Sequence, residues 1–98
     1  MKIENMEDLK WFFEEYFKGK YNHLIHPLTL KAIKNKNYYF NSSDCSQKIS
    51  ESNYLCYMEI VNKNDILEIS PYSVILKDDE EYEIIEQDGN DFLIIRRN

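Results

Sequence analysis

Two histidines and two cysteines are the side chains of this sequence best suited to bind a metal or act as a nucleophile. His23 and His26 form an HxxH pair, a spacing that can place two ligands on one face of a helix. Pro27 follows directly and argues against a continuous helix there, and no third ligand has a convincing spacing. We interpret both histidines as surface or capping residues near the start of a helix.

Cys45 and Cys56 lie eleven residues apart and form no CxxC motif. In a reducing compartment such a pair stays as free thiols. Cys56 alternates with Tyr54 and Met58, as an ordinary core position in a strand would, and nothing local suggests a partner base. The sequence therefore predicts no catalytic cysteine.

Carboxylates are concentrated in residues 77–91, KDDEEYEIIEQDGND, where eight acidic residues accompany one lysine. Paired-carboxylate hydrolysis needs two carboxyls at a defined separation, one of them with a raised pKa, inside a pocket. A dense run that looks solvent-exposed does not predict such a site. Its oxygens suit Ca²⁺ or Mg²⁺, but their spacing does not match an EF-hand loop. We predict no enzymatic activity, no metal and no cofactor.

Direct nucleic-acid binding is also disfavoured. The chain has two glycines, too few for a phosphate-binding loop, and its net charge is −6. Three lysines followed by three aromatic residues superficially resemble a stacking surface for single strands. Solvated helix lysines and core aromatics are the simpler interpretation. These residues are Lys31, Lys34 and Lys36, then Tyr38, Tyr39 and Phe40.

The charge is unevenly distributed along the chain. Residues 1–50 contain eight lysines and six acidic residues, a balance of +2, whereas residues 51–98 contain twelve acidic and four basic residues, a balance of −8. Such a protein is repelled by nucleic acids and anionic membranes and attracted to basic surfaces. We therefore expect a basic protein as its partner, with no direct nucleic-acid or membrane contact.

The elements that position these residues begin with a helix after Asn5, which is placed to cap it, and before Gly19, a typical residue after a helix end. Trp11 lies off the apolar stripe, at the edge of the core. Pro27 predicts the first turn of a second helix over residues 27–35. The apolar stripe of the first helix consists of Leu9, Phe12, Phe13, Tyr16 and Phe17.

The rest of the chain has the patterns of strands. A short strand is expected at residues 38–41, followed by a loop to about residue 52. The 53–61 segment alternates in either register and predicts a central strand. Further strands are indicated by DILEIS, YSVILK, EEYEIIEQ and DFLIIRR, and the DGN between the last two is typical of a β-hairpin turn.

The predicted fold is α+β, with one or two N-terminal helices packed on a four- to five-stranded antiparallel meander that ends in a β-hairpin. Ninety-eight residues suit a single domain, 1–98. No apolar run approaches the length of a membrane span, and the N-terminus lacks the pattern of a signal peptide, so we expect a cytoplasmic protein.

Alternation along the acidic strand predicts that Tyr82, Ile84 and Glu86 face one way. Glu81 and Glu83 face the other. The remaining acidic residues are expected in a turn before the strand and at the far end of the hairpin. The first group is Asp78, Asp79 and Glu80, and the second is Asp88 and Asp91. This acidity would also serve solubility and discourage edge-to-edge pairing of strands.

A small, acidic, aromatic-rich α+β chain with the stretch KDDEEYEIIEQDGND resembles bacterial immunity proteins of contact-dependent inhibition and other polymorphic toxin systems. The resemblance implies a stoichiometric inhibitor that binds a cognate basic toxin domain, often a nuclease. Phage anti-CRISPR proteins that mimic nucleic acid share this profile and are the alternative. The expected partner contacts are Asp78, Asp79, Glu80, Glu81, Glu83, Glu86, Asp88 and Asp91, with Tyr82 and Tyr72 as aromatic anchors.

Overall fold

The structure, a computed structural model, describes residues 3–35 and 58–96. Within these residues the chain forms two α-helices and a five-stranded antiparallel sheet, which confirms the predicted α+β fold. Short 3₁₀ helices cover Asn22–Leu24 and Lys63–Asp65. The main elements are α1 (Met6–Phe17), α2 (Pro27–Lys34), β1 (Met58–Asn62), β2 (Ile66–Ile69), β3 (Ser73–Leu76), β4 (Glu81–Asp88) and β5 (Asp91–Arg96).

Both helices begin where the sequence predicts. The side chain of Asn5 accepts a hydrogen bond from the Asp8 amide at 2.9 Å and caps α1. Lys18 and Gly19 end this helix, and both have positive φ angles, of 53° and 84°. His26 caps α2, because its Nδ1 accepts from the backbone amide two residues later at 3.0 Å.

The strand order is β1-β5-β4-β3-β2, so β2 to β5 form a meander and β1 pairs with β5 rather than with β2. Strand β5 is interior and is buried from Phe92 to Ile95, which explains its continuous apolar run. A central strand was predicted at 53–61; in the sheet formed by the described residues, β1 lies at an edge.

The sheet is curled. Asn62 ends β1 and Ile66 begins β2, and the short connection limits the distance between them to about 14 Å. A flat sheet of this strand order would separate the two strands by four spacings, about 19 Å. Curling brings side chains from all five described strands into one inner cluster. This cluster contains Val61, Ile66, Val74, Leu76, Tyr82, Ile84, Phe92 and Ile94.

The outer face of the sheet packs against the helices. Leu9, Phe12 and Phe13 of α1 are buried, and α2 contacts β4 and β5. Tyr16, also in the predicted stripe, remains half exposed and packs on Phe12 with ring centroids 4.8 Å apart. The sheet contributes Met58, Ile60, Ile85, Leu93 and Ile95 to this second cluster.

Several predicted features lie outside the described residues. They are the strand at 38–41, the loop to residue 52, Lys36, the aromatic trio that follows it, Cys45 and Cys56. Across residues 3–35 and 58–96, no helix combines the length and apolar character needed to cross a membrane.

Candidate binding surface

The acidic stretch starts in the tight connection between β3 and β4. The Asp79 amide donates to the Leu76 carbonyl at 2.9 Å, and the Leu76 amide donates to the Glu80 carbonyl at 3.2 Å. Asp79 has a φ of 62°, the left-handed conformation that a three-residue hairpin loop requires at its last position. Glu80 also approaches Arg96 at 3.9 Å, with both side chains about half exposed.

Asp78 holds this turn together. Its Oδ1 accepts from the Glu80 amide at 2.9 Å, and its Oδ2 accepts from the Tyr82 hydroxyl at 2.7 Å. These hydrogen bonds, that from Tyr82 first, lower the pKa of Asp78. The same bond, followed by burial, raises the pKa of Tyr82 to about 12.

Tyr82 belongs to the inner cluster and is only 8% exposed. A buried ring has little surface to offer a partner, so its burial disfavours Tyr82 as an aromatic anchor. The alternation that identified Tyr82 as a strand residue contains no information about which face of the sheet becomes enclosed.

Glu86 is turned toward α2 by an irregularity in β4. Ile84 is opposite Ile94, but Glu86 is opposite Leu93, so one extra residue, Ile85, is inserted between them. The insertion places Glu86 on the outer face. Simple alternation predicted the opposite face for Glu86, and that prediction is wrong.

On the outer face Glu86 joins the sheet to the second helix. Asn35 Nδ2 donates to Glu86 Oε2 at 3.2 Å, and Lys31 Nζ lies 3.9 Å from Glu86 Oε1. Lys31 also donates to the Gln87 carbonyl at 2.8 Å. The Glu86 side chain is only 11% exposed, so it has little surface left to offer a partner.

Asp88 and Asp91 lie at the opposite end of the hairpin, around a two-residue turn that begins with Gly89 at a φ of 59°. Asp91 Oδ1 accepts from Asn62 Nδ2 at 3.1 Å. The length of β4 separates this end from the β3–β4 turn by roughly 20 Å. The predicted contact residues therefore do not form one patch.

Three of the predicted contacts do come together, in an open cleft of about 100 Å³ that we call the acidic cleft. Its lining residues are Tyr72, Ser73, Glu81 and Glu83. Tyr72 is 83% exposed, and its carbonyl accepts from the Ile84 amide at 2.9 Å, which fixes its backbone against β4. An exposed aromatic residue is thus combined with carboxylates on a hydrogen-bonded ladder.

The acidic cleft has a neighbouring surface that the sequence did not reveal. Glu68 is opposite Ile75, and Ile75 is opposite Glu81, so these three residues share the outer face across β2, β3 and β4. Leu67 and Ile69 on β2 are about half exposed, and Ile69 is opposite Val74 and therefore lies on the other face of the sheet. Their apolar character predicts a strand, but it does not indicate that the strand lies at an edge of the sheet.

The two histidines have separate contacts. His23 Nε2 lies 3.3 Å from the Met58 carbonyl of β1, whereas His26 caps α2. In the part of the chain that the structure describes, no three His, Cys, Asp or Glu residues are grouped as metal ligands would be.

The acidic cleft and its neighbouring surface offer carboxylate acceptors, one exposed phenol ring and aliphatic side chains. This set suits recognition of a cationic polypeptide, because carboxylates pair with lysine or arginine and the ring supplies contact area. No family model, curated protein or solved structure matches the chain. Function is therefore inferred from the geometry of the chain's own residues.

Proposed function

We propose that this protein is a cytoplasmic immunity protein, a stoichiometric inhibitor that binds and neutralises a cognate basic toxin domain of the nuclease class. The observation that supports this most directly is the acidic cleft, where the exposed Tyr72 lies beside Glu81 and Glu83. The surplus of eight negative charges in residues 51–98 supports a cationic partner.

Contacts of this kind favour tight binding in three ways. Surface carboxylates steer a cationic partner and raise its association rate by about 10- to 10³-fold at low salt. Tyrosine is enriched among the residues that dominate binding energy at protein interfaces, and Tyr72 is already on the surface. Because the cleft is built on paired strands, little conformational entropy is lost when the partner docks.

The geometry narrows the set of contacts. The centre of the proposed contact surface is the acidic cleft, with Tyr72, Glu81 and Glu83. The exposed Asp79 and Glu80 extend this surface along the adjacent turn. Three other candidates have structural roles, and two lie at the far end of the hairpin. The structural group is Asp78, Tyr82 and Glu86, and the distant pair is Asp88 and Asp91.

A nucleic-acid mimic of the anti-CRISPR type is the alternative. A mimic needs an extended row of carboxylates with a spacing like that of phosphates. Here the acidic residues separate into a turn, a cleft, a contact with α2 and a hairpin end, and Asp78 and Glu86 form hydrogen bonds within the chain. This distribution favours a compact inhibitor over a mimic.

The test is affinity capture of the tagged protein from its native cell, with elution across a salt gradient. We expect one basic polypeptide at a stoichiometry near one to one, inactive while bound and toxic once released. The double variant Tyr72→Ala, Glu81→Lys should release the captured polypeptide at a lower salt concentration than the wild-type protein does. Asp88→Lys is the charge-reversal control, because Asp88 is exposed at the opposite end of the hairpin.

Capture of a multi-subunit nucleic-acid-binding complex would support the mimic and contradict the immunity function. Recovery of the protein alone would also contradict it and would leave the acidic strand as a device for solubility. Equal loss of the partner from the Asp88→Lys control would place the contact surface away from the acidic cleft.

A further inference from the structure

Strand β2 forms the second edge of the sheet in the described residues. We call the side of β2 that faces away from β3 the β2 edge. Its apolar side chains are unusually accessible: Leu67 is 55% exposed and Ile69 is 48% exposed. Buried apolar side chains would be expected if β2 served only to extend the core. Their exposure beside an edge is a feature of surfaces that accept another chain.

The hydrogen-bond pattern shows which backbone groups face outward on this edge. The Ser70 amide donates to the Ser73 carbonyl at 2.9 Å across the β2–β3 connection. In an antiparallel ladder, hydrogen-bonded and non-hydrogen-bonded pairs alternate. The next pair is Ile69 with Val74, so the amide and carbonyl of Ile69 are directed away from β3.

The charge beside the β2 edge selects the kind of chain that can be added. Glu68 and Glu81 lie on the same face, two strand spacings or roughly 10 Å apart, with Ile75 between them. A second copy of this protein would bring its own Glu68 toward these carboxylates, and like charges across strands are destabilising. A strand with lysine or arginine would be attracted.

We propose that the β2 edge binds an extended, cationic strand of the partner polypeptide by adding it to the sheet beside β2. The identification of that partner as the toxin rests on the proposed function, whereas the mode of binding does not. Ile69 supplies the backbone donor and acceptor, and Glu68 pairs with a basic side chain of the added strand. Glu81 lies three strand spacings, about 14 Å, from the added strand and contributes only longer-range attraction. Because β2 has only four residues and an irregularity near Leu67, the added strand is short.

The probe is a ten-residue peptide with alternating lysine and valine, and the control peptide alternates glutamate and valine. Amide chemical shifts and hydrogen exchange of the isotope-labelled protein report where each peptide binds. We expect the cationic peptide to protect the Ile69 amide from exchange and to shift Leu67 and Glu68, and the acidic peptide to do neither. Binding to residues outside β2, or no binding at millimolar peptide, would overturn the proposal.

Two substitutions test the edge itself. Ile69→Pro removes the outward amide and keeps the β2–β3 hydrogen bonds, since proline is tolerated where the amide of an edge strand faces solvent. Ile69→Lys keeps the amide and places a like charge beside the cationic peptide. Each should weaken binding by about tenfold. Trp11→Lys, on the exposed side of α1, is the matched control and should leave binding unchanged.

The outcomes separate this proposal from the immunity function. If the toxin is captured and Ile69→Lys does not alter its elution, the strand-addition mode is wrong and the function stands. If no toxin is captured but the cationic peptide protects Ile69, the binding mode stands and the function is wrong. A wild-type dimer that Ile69→Lys converts to a monomer would assign the β2 edge to a second copy and overturn the proposal.

Discussion

Replacing Glu86 by glutamine should destabilise the fold, although Glu81 and Asp88 on the same strand are exposed. Glutamine keeps the shape of the side chain and removes its charge. The ion pair with Lys31 at 3.9 Å is then lost, and the hydrogen bond from Asn35 has an uncharged acceptor. We expect the variant to have a smaller free energy of unfolding and a lower melting temperature than the wild-type protein.

The magnitude follows from the exposure of the two partners. Glu86 is 11% exposed and Lys31 is 42% exposed, so water screens the pair from one side only. Exposed ion pairs contribute about 0.2–1 kcal/mol, and hydrogen bonds to charged groups contribute more than neutral ones. We expect a loss of about 1 kcal/mol for Glu86→Gln, which lowers the melting temperature of a chain this size by roughly 5 °C.

The assay is urea unfolding followed by circular dichroism, with Glu81→Gln as the control. Glu81 lies on the same strand and is exposed, so the control removes the same charge without breaking a contact to α2. A double-mutant cycle with Lys31→Met should give a coupling energy of about 0.5 kcal/mol, which decreases at high salt. Equal stabilities of Glu86→Gln and Glu81→Gln, or additive effects in the cycle, would refute the assignment of Glu86 to a helix–sheet contact.

Three further predictions concern residues inside the turn and the core. Thr29 is fully buried and its hydroxyl has no hydrogen-bond partner among the described residues, so Thr29→Val should raise the free energy of unfolding by about 1 kcal/mol, whereas Thr29→Ser should lower it in the same urea assay. Asp79 has a positive φ, so Asp79→Gly should raise stability by about 0.5 kcal/mol and Asp79→Ala should lower it, as measured by thermal unfolding. An alkaline titration followed by phenolate absorbance should show one tyrosine with a pKa of about 12 that is absent from Tyr82→Phe. Because the unfolded value is 10.0, the contribution of Tyr82 to stability is complete below pH 10 and is lost as the pH rises toward 12.

Local signals in the sequence predicted local structure well. Asn5 and Pro27 mark helix starts because capping and the fixed φ of proline depend only on neighbouring residues. Gly89 marks the hairpin turn for the same reason. The β3–β4 turn has no glycine, yet Asp79 adopts the left-handed conformation, which aspartate tolerates better than most residues.

Strand order was not available from the same signals. Residues 58–61 and β5 are both rich in apolar residues, and this pattern indicates only that side chains are covered. The pattern does not show whether a helix or another part of the sheet packs on those apolar side chains. Which strand becomes central depends on pairings between distant residues, such as Met58 with Ile95, and a single sequence does not encode these pairings locally.

The inserted Ile85 explains why simple alternation failed for the candidate contacts as well as for the fold. Without it, Glu86 would follow Tyr82 and Ile84 onto the inner face and place a carboxylate near Phe92 and Ile94. Burial of an unpaired carboxylate in such a cluster is strongly unfavourable. The extra residue moves Glu86 to the outer face, where α2 supplies Lys31 and Asn35. The irregularity therefore places Glu86 on the same face as Glu81 and Glu83, and what distinguishes Glu86 from them is its contact with α2. The partner should be sensitive to the carboxylates of the acidic cleft and not to Glu86.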